Sequence, residues 1–161
     1  MGKLKVETEG RAPENVKRLI RIAAKCAYAH FGYPFDAEMS VLFTDDRGIR
    51  EINARQRGVD SATDVLSFPL CDFVRGECNE PESAFDLDTG RLPIGDMVLS
   101  LERAKAQAEE YGHGEARECA YLTVHSVLHL LGFDHTDEGE EKAAMREKEE
   151  EILKKLGLER K

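Results

Sequence analysis

The chain has 161 residues, 34% charged and 41% hydrophobic, and is expected to form a single domain over 1–161 whose core needs no disulfides. No apolar run approaches the length of a bilayer span and no charged-then-apolar leader opens the N-terminus, so a soluble, cytoplasmic protein with no membrane contact is expected. With 32 acidic residues against 23 basic ones, a net charge of -9 argues against an extended, non-specific grip on nucleic acid; any such contact has to come from a local patch, a bound metal or a partner.

Lys3 to Glu9 alternates, Leu4, Val6 and Thr8 against Lys5, Glu7 and Glu9, which predicts a strand with one wet face. From Pro13 to about His30 apolar residues recur at Val16, Leu19, Ile20, Ala23, Ala27 and Phe31, a helical stripe opened by a proline and ended by Gly32 and Pro34. His30 has no neighbour at metal-ligand spacing and reads as a favourable charge at a helix end or a packed ring. Glu38 to Thr44 is a second strand with an apolar centre, Val41-Leu42-Phe43, and Asp45 is the N-cap candidate for a short helix running to Arg57. In that helix Ile49 and Ile52 can face a core, while Arg47, Arg50 and Arg57 fall on roughly the opposite side ahead of the terminator Gly58. For Arg47 and Arg50 this spacing suits a functional cluster and a solvated face balanced by Asp45, Asp46 and Glu51 equally well.

Thr63-Asp64-Val65-Leu66-Ser67-Phe68-Pro69 reads as a short strand stopped by proline, suited to a sheet edge where it could wall a cleft. Cys71 to Leu92 lacks periodicity and carries six acidic residues among the breakers Gly76, Pro81 and Gly90; a mobile loop or loose hairpin is expected, disordered rather than functional. Ile94 to Ser100 is the next strand, Leu101 to Tyr111 a helix through Ala104 and Ala108, and His113 a loop residue between Gly112 and Gly114. A helix from Glu115 is apolar on nearly all sides through Val127 and Leu128, as suits a central element. Asp137 with Glu140 resembles a capping box for a last helix to Leu156, with Ala144, Met145, Ile152, Leu153 and Leu156 on one side and Glu147 to Glu151 as a solvated face. Cys26, Cys71, Cys78 and Cys119 form no C-x-x-C pair, and Cys26 and Cys119 fall in helical patterns where a small buried thiol is the expected role.

Three of the five histidines stand in His125-Ser126-Val127-Leu128-His129-Leu130-Leu131-Gly132-Phe133-Asp134-His135. On a helix His125 and His129 share a face, and Gly132 suits a left-handed turn that brings His135 to the same point. Three imidazoles with an open fourth position suit one catalytic zinc ion rather than a closed structural site. The spacing keeps every histidine and glycine of the zinc-protease signature H-E-x-x-H-x-x-G-x-x-H but places Ser126 where that signature has its glutamate base, a zincin-like metal helix without the protease's base. The expected architecture is α+β: a small mixed sheet of about four strands covered by helices, with the metal helix against it.

These residues, together with Arg57-Gly58, Thr63 to Pro69 and Ile94-Gly95-Asp96 in the same order and spacing, resemble the YbeY family of bacterial endoribonucleases over most of the chain. The resemblance implies a zinc ion on His125, His129 and His135, Arg57 as a catalytic arginine, and single-strand-specific cleavage in maturation of the 3′ end of small-subunit ribosomal RNA and in ribosome quality control. It implies ribosomal RNA and small ribosomal subunit proteins as partners. Ser126 stands where the family usually has glycine, and Phe133 where it usually has tyrosine. A zinc ion would activate water and act as a Lewis acid, and a guanidinium suits phosphate oxygens bidentately. Asp134 could orient a ligand, accept a proton or cap a helix. Two other readings share the motif: a zinc metallopeptidase using the edge strand to hold an extended peptide, and a non-catalytic, zinc-stabilised ribosome-assembly factor.

Overall fold

The computed structural model describes residues 1–134 and 139–158. Among these, β1 (Leu4–Glu9) leads into α1 (Glu14–Ala29), followed by β2 (Ala37–Thr44), α2 (Asp46–Arg57) and β3 (Val65–Pro69). A short hairpin of β4 (Phe73–Val74) and β5 (Glu77–Cys78) and a single 3-10 turn, Glu82–Ala84, precede β6 (Leu92–Ser100), α3 (Leu101–Tyr111), α4 (Glu115–Leu130) and α5 (Glu140–Leu156). The fold is α+β, with one mixed four-stranded sheet in the order β1-β2-β6-β3. β1, β2 and β6 run parallel, and β3 joins β6 antiparallel at the edge, as its terminal proline anticipates.

Strand alternation sends side chains to two different cores. Ala37, Met39, Val41 and Phe43 of β2 and Ile94, Met97 and Leu99 of β6 pack with α1 and α4 in the main core. Val98 and Leu66 point the other way, meeting Ile49 of α2 with Leu42, Ile52 and Phe68 beside them. α4 and α2 therefore lie on opposite faces of the sheet, both packed on β3. Burying apolar side chains at roughly 1.5–3 kcal/mol each makes the main core the principal source of stability.

The caps follow the sequence chemistry. Asp45 Oδ1 accepts from the Gly48 amide at 2.8 Å to open α2, Gly58 closes it, and Ser100 Oγ accepts from the Arg103 amide at 3.2 Å to open α3. The residue preceding α5 is Gly139; Asp137, expected in its capping box, lies outside the described residues. Of the two forms expected for the acidic stretch from Cys71 to Leu92, mobile loop or loose hairpin, the structure has a short hairpin at Phe73–Cys78 followed by one 3-10 turn. This is an ordered start rather than the expected disorder, with Phe73 buried among Tyr33 and its neighbours. Aromatic burial holds a segment whose local pattern carries no periodic signal: Phe31, Tyr33, Phe35, Phe85 and Phe133 form a connected ring cluster beneath it. No helix among the described residues is long and apolar enough to cross a membrane.

Candidate active site

From Glu118 to Leu131 every residue of α4 and its C-cap is buried except His125 and His129. These two imidazoles, one turn apart, occupy the sole openings of an otherwise enclosed helix face. Their Nε2 atoms lie 3.2 Å apart, with ring planes at 80° and centroids 4.7 Å apart. Two nitrogens each about 2.0–2.1 Å from a tetrahedral zinc ion would stand about 3.3 Å apart, so this spacing fits a shared ion. His135, the expected third ligand, lies outside the described residues, and no group of three metal-capable side chains occurs among those described.

The turn toward His135 is gripped from one side. Gly132 has φ +87°, and a Cβ there would sit 2.2 Å from the Phe73 carbonyl oxygen, so both conformation and close approach demand glycine. The hairpin turn donates back to it, Arg75 N–H to the Gly132 carbonyl at 3.2 Å and Gly76 N–H to the Leu131 carbonyl at 2.8 Å. The Arg75 guanidinium meets Glu141 at 2.6 Å, linking hairpin and α5, and Phe133 is buried against Phe31. Asp134 is exposed at the end of this turn.

Ser126 points away from the histidines, into the protein. Fully buried, its Oγ lies 2.6 Å from Ser67 Oγ on β3, fastening the helix to the edge strand. Gly95, at φ +154°, lets Leu130 and the Phe68 carbonyl approach closely; a Cβ there would meet each at 2.6 Å. β3, the strand expected to wall a cleft, thus packs directly against α4.

Arg57 is the last residue of α2 and exposed, on a helix whose Ile49 and Ile52 pack on the sheet face opposite α4. Along α2 runs an open groove of about 510 Å³ lined by Arg47, Arg50, Glu51, Ala54, Arg55 and Asp60. Arg50 forks onto Asp60 at 2.8 and 3.2 Å, and this pairing holds the Asp60 carboxyl below its usual value. Arg47 meets Glu51 at 3.6 Å. The solvated, balanced face thus describes Arg50 and Arg47 in part, although the partner of Arg50 is Asp60 rather than Asp45 or Asp46.

His30 and His113 have structural partners. His30 Nε2 lies 2.9 Å from Glu151 and its Nδ1 2.6 Å from Lys155 Nζ, the packed-ring reading. His113 Nε2 lies 2.8 Å from the buried carboxylate of Glu118. Sequence reasoning missed Glu149, whose Oε2 lies 3.2 Å from His125 Nδ1. Its signal was spacing: Glu149 shares the helical stripe of Met145, Ile152 and Leu156, although it belongs to a charge run that reads as solvated.

The family model for the endoribonuclease YbeY matches residues 3–157. The chain belongs to this family. The endoribonuclease YbeY of Clostridium botulinum strain Loch Maree is 47% identical over 162 aligned positions, covering 97% of this chain and 95% of that protein. The endoribonuclease YbeY of Caldanaerobacter subterraneus is 56% identical over 125 positions, covering 78% of this chain and 77% of its own length. The solution structure of TM1509 from Thermotoga maritima has the same fold, with a TM-score of 0.58 at 20% identity over 96% of this chain and 91% of that one. YbeY membership assigns the chain to the endoribonucleases.

Proposed function

We propose that this chain is a zinc-dependent hydrolase, a single domain over 1–161, that cleaves single-stranded ribosomal RNA internally, with His125, His129 and His135 holding one zinc ion and Arg57 acting on the phosphate. The observation that carries the reading is the 3.2 Å convergence of His125 and His129 at the two openings of α4, in a chain of the YbeY family. When bound, the ion supplies a Lewis acid and acidifies water for attack on phosphorus.

The chain's own residues supply the rest. α4, enclosed by core on nearly all sides, fixes the backbone positions from which the two imidazoles project one turn apart, which brings the donors to one point. Arg57 presents five N–H donors at the open end of α2, where it can bind a phosphate bidentately and compensate charge that develops there. The α2 groove with Arg47 and Arg55 offers further cations along a strand's path, whereas in the α5 groove Glu147, Glu149, Glu150 and Glu151 outnumber Arg146 and Lys154, a lining less suited to phosphates. RNA thus approaches from the α2 and β3 side. Processing of the small-subunit 3′ end, with small ribosomal subunit proteins nearby and in the cytoplasm, is the setting this reading implies.

A peptidase would draw on the exposed edge of β3, but it needs a base where Ser126 stands. That hydroxyl is buried and committed to Ser67. The deciding experiment incubates zinc-loaded protein with end-labelled single-stranded RNA, duplex RNA and an unstructured polypeptide, beside metal-stripped and Arg57→Ala samples. Cleavage of single-stranded RNA alone, lost in both controls, is the expected result. Polypeptide cleavage with intact RNA would overturn it, and failure to cut either would favour an assembly factor.

A further inference from the structure

We infer that Glu149, on the last helix, is a positioning residue for the metal centre, holding His125 in the tautomer and orientation that aim Nε2 at the ion. The inference rests on the metal reading above and goes beyond it, since it assigns a role to α5. A carboxylate accepts and does not donate, so the 3.2 Å contact between Glu149 Oε2 and His125 Nδ1 is one in which Nδ1–H donates. With the proton on Nδ1, the lone pair of Nε2 is left to face His129 Nε2 across 3.2 Å, where a metal fits.

The contact has the enclosure that such a role needs. The side chains of His125 and Glu149 are 30% and 22% exposed, so water competes for the bond less than on an open surface. Glu149 is carried on a helix whose Met145, Ile152 and Leu153 are buried in the main core, and Arg75 ties the start of that helix to the hairpin that grips Gly132. The helix that carries this carboxylate is thus held by core packing, and a run of glutamates that looks like plain surface contains two with histidine partners, Glu151 on His30 and Glu149 on His125. Arg146 and Glu150, which pair with each other at 3.5 Å on the exposed side, show the outward arrangement.

The test compares wild type, Glu149→Ala, Glu149→Gln and, as a neighbouring control, Glu150→Ala. Zinc affinity is read by competition with a chromophoric chelator, ring tautomers by long-range proton–nitrogen NMR on the metal-free protein, and folding by thermal melts. Glu149→Ala is expected to move His125 away from the Nδ1–H tautomer and to weaken zinc binding about 10–100-fold, with the melt retained. Glu149→Gln, whose amide oxygen still accepts, should restore much of both, and Glu150→Ala should change neither. Wild-type affinity and tautomer in Glu149→Ala would overturn the inference while leaving the metal reading intact. A wild-type protein that takes up no zinc would overturn both.

Discussion

The hydroxyls of Ser67 and Ser126 lie 2.6 Å apart, joining the edge strand to the helix that carries His125 and His129. Ser126 is fully buried and Ser67 is partly exposed, so the two ends of this bond are unequal. Ser126→Ala removes the buried hydroxyl and leaves Ser67 able to turn to water, at about 1 kcal/mol or less. Ser67→Ala strands the buried hydroxyl and should cost more, about 1–3 kcal/mol. Urea denaturation of the two single variants and the double variant checks the order, and equal costs would contradict it.

Gly132→Ala places a side chain at φ +87° against the Phe73 carbonyl. The backbone strain alone should cost about 1–3 kcal/mol, and because the hairpin has to retreat, zinc affinity should fall with stability. Alanine at Gly112, whose added Cβ meets nothing within 4 Å, should cost stability without touching zinc binding. Denaturation midpoints and chelator competition on both variants make the comparison.

Replacement of His129 by alanine separates a catalytic ion from a structural one. α4 is anchored by Val124, Val127, Leu128 and Leu130 in the main core, none of which needs a metal. In metal-free buffer His129→Ala should melt within a few degrees of wild type, and it should bind zinc weakly and leave RNA uncut. Global unfolding of the variant would point to a metal that holds the fold together.

Burial lowers the pKa of His30, and the Lys155 ammonium at its Nδ1 lowers it further, outweighing the opposing carboxylate of Glu151. Because the folded state resists protonation there, the unfolded chain binds more protons, and stability falls as pH drops below about 6.5. His30→Gln should flatten that decline. Denaturation midpoints of both proteins at pH 7.5, 6.5 and 5.5 measure it.

Burial raises the thiol of Cys71 to about 11 and that of Cys119 to about 12. Both should resist iodoacetamide at pH 8 in the native protein and react on unfolding. Peptide mapping of the alkylated protein checks this, and prompt native labelling of Cys119 would contradict the burial that α4 displays.

Local rules were enough for much of this chain. The period-two pattern of Leu4 to Glu9, the 3.6-residue stripe of Val16 to Ala27, the cap at Asp45 and the stop at Gly58 each depend on residues within one or two turns, so they can be read without knowing the fold. The pairing of His125 with His129 is of the same kind, because one helical turn dictates it. What lay beyond sequence involves partners far apart in the chain. Ser67 meets Ser126 across 59 positions, Tyr33 donates to the Gly76 carbonyl across 43, and His125 meets Glu149 across 24. Only the order β1-β2-β6-β3 and the packing of α5 on α4 bring such groups together. An isolated hydroxyl or carboxylate has the same local spacing whether it faces water or a buried partner, and burial is a property of the assembled layers.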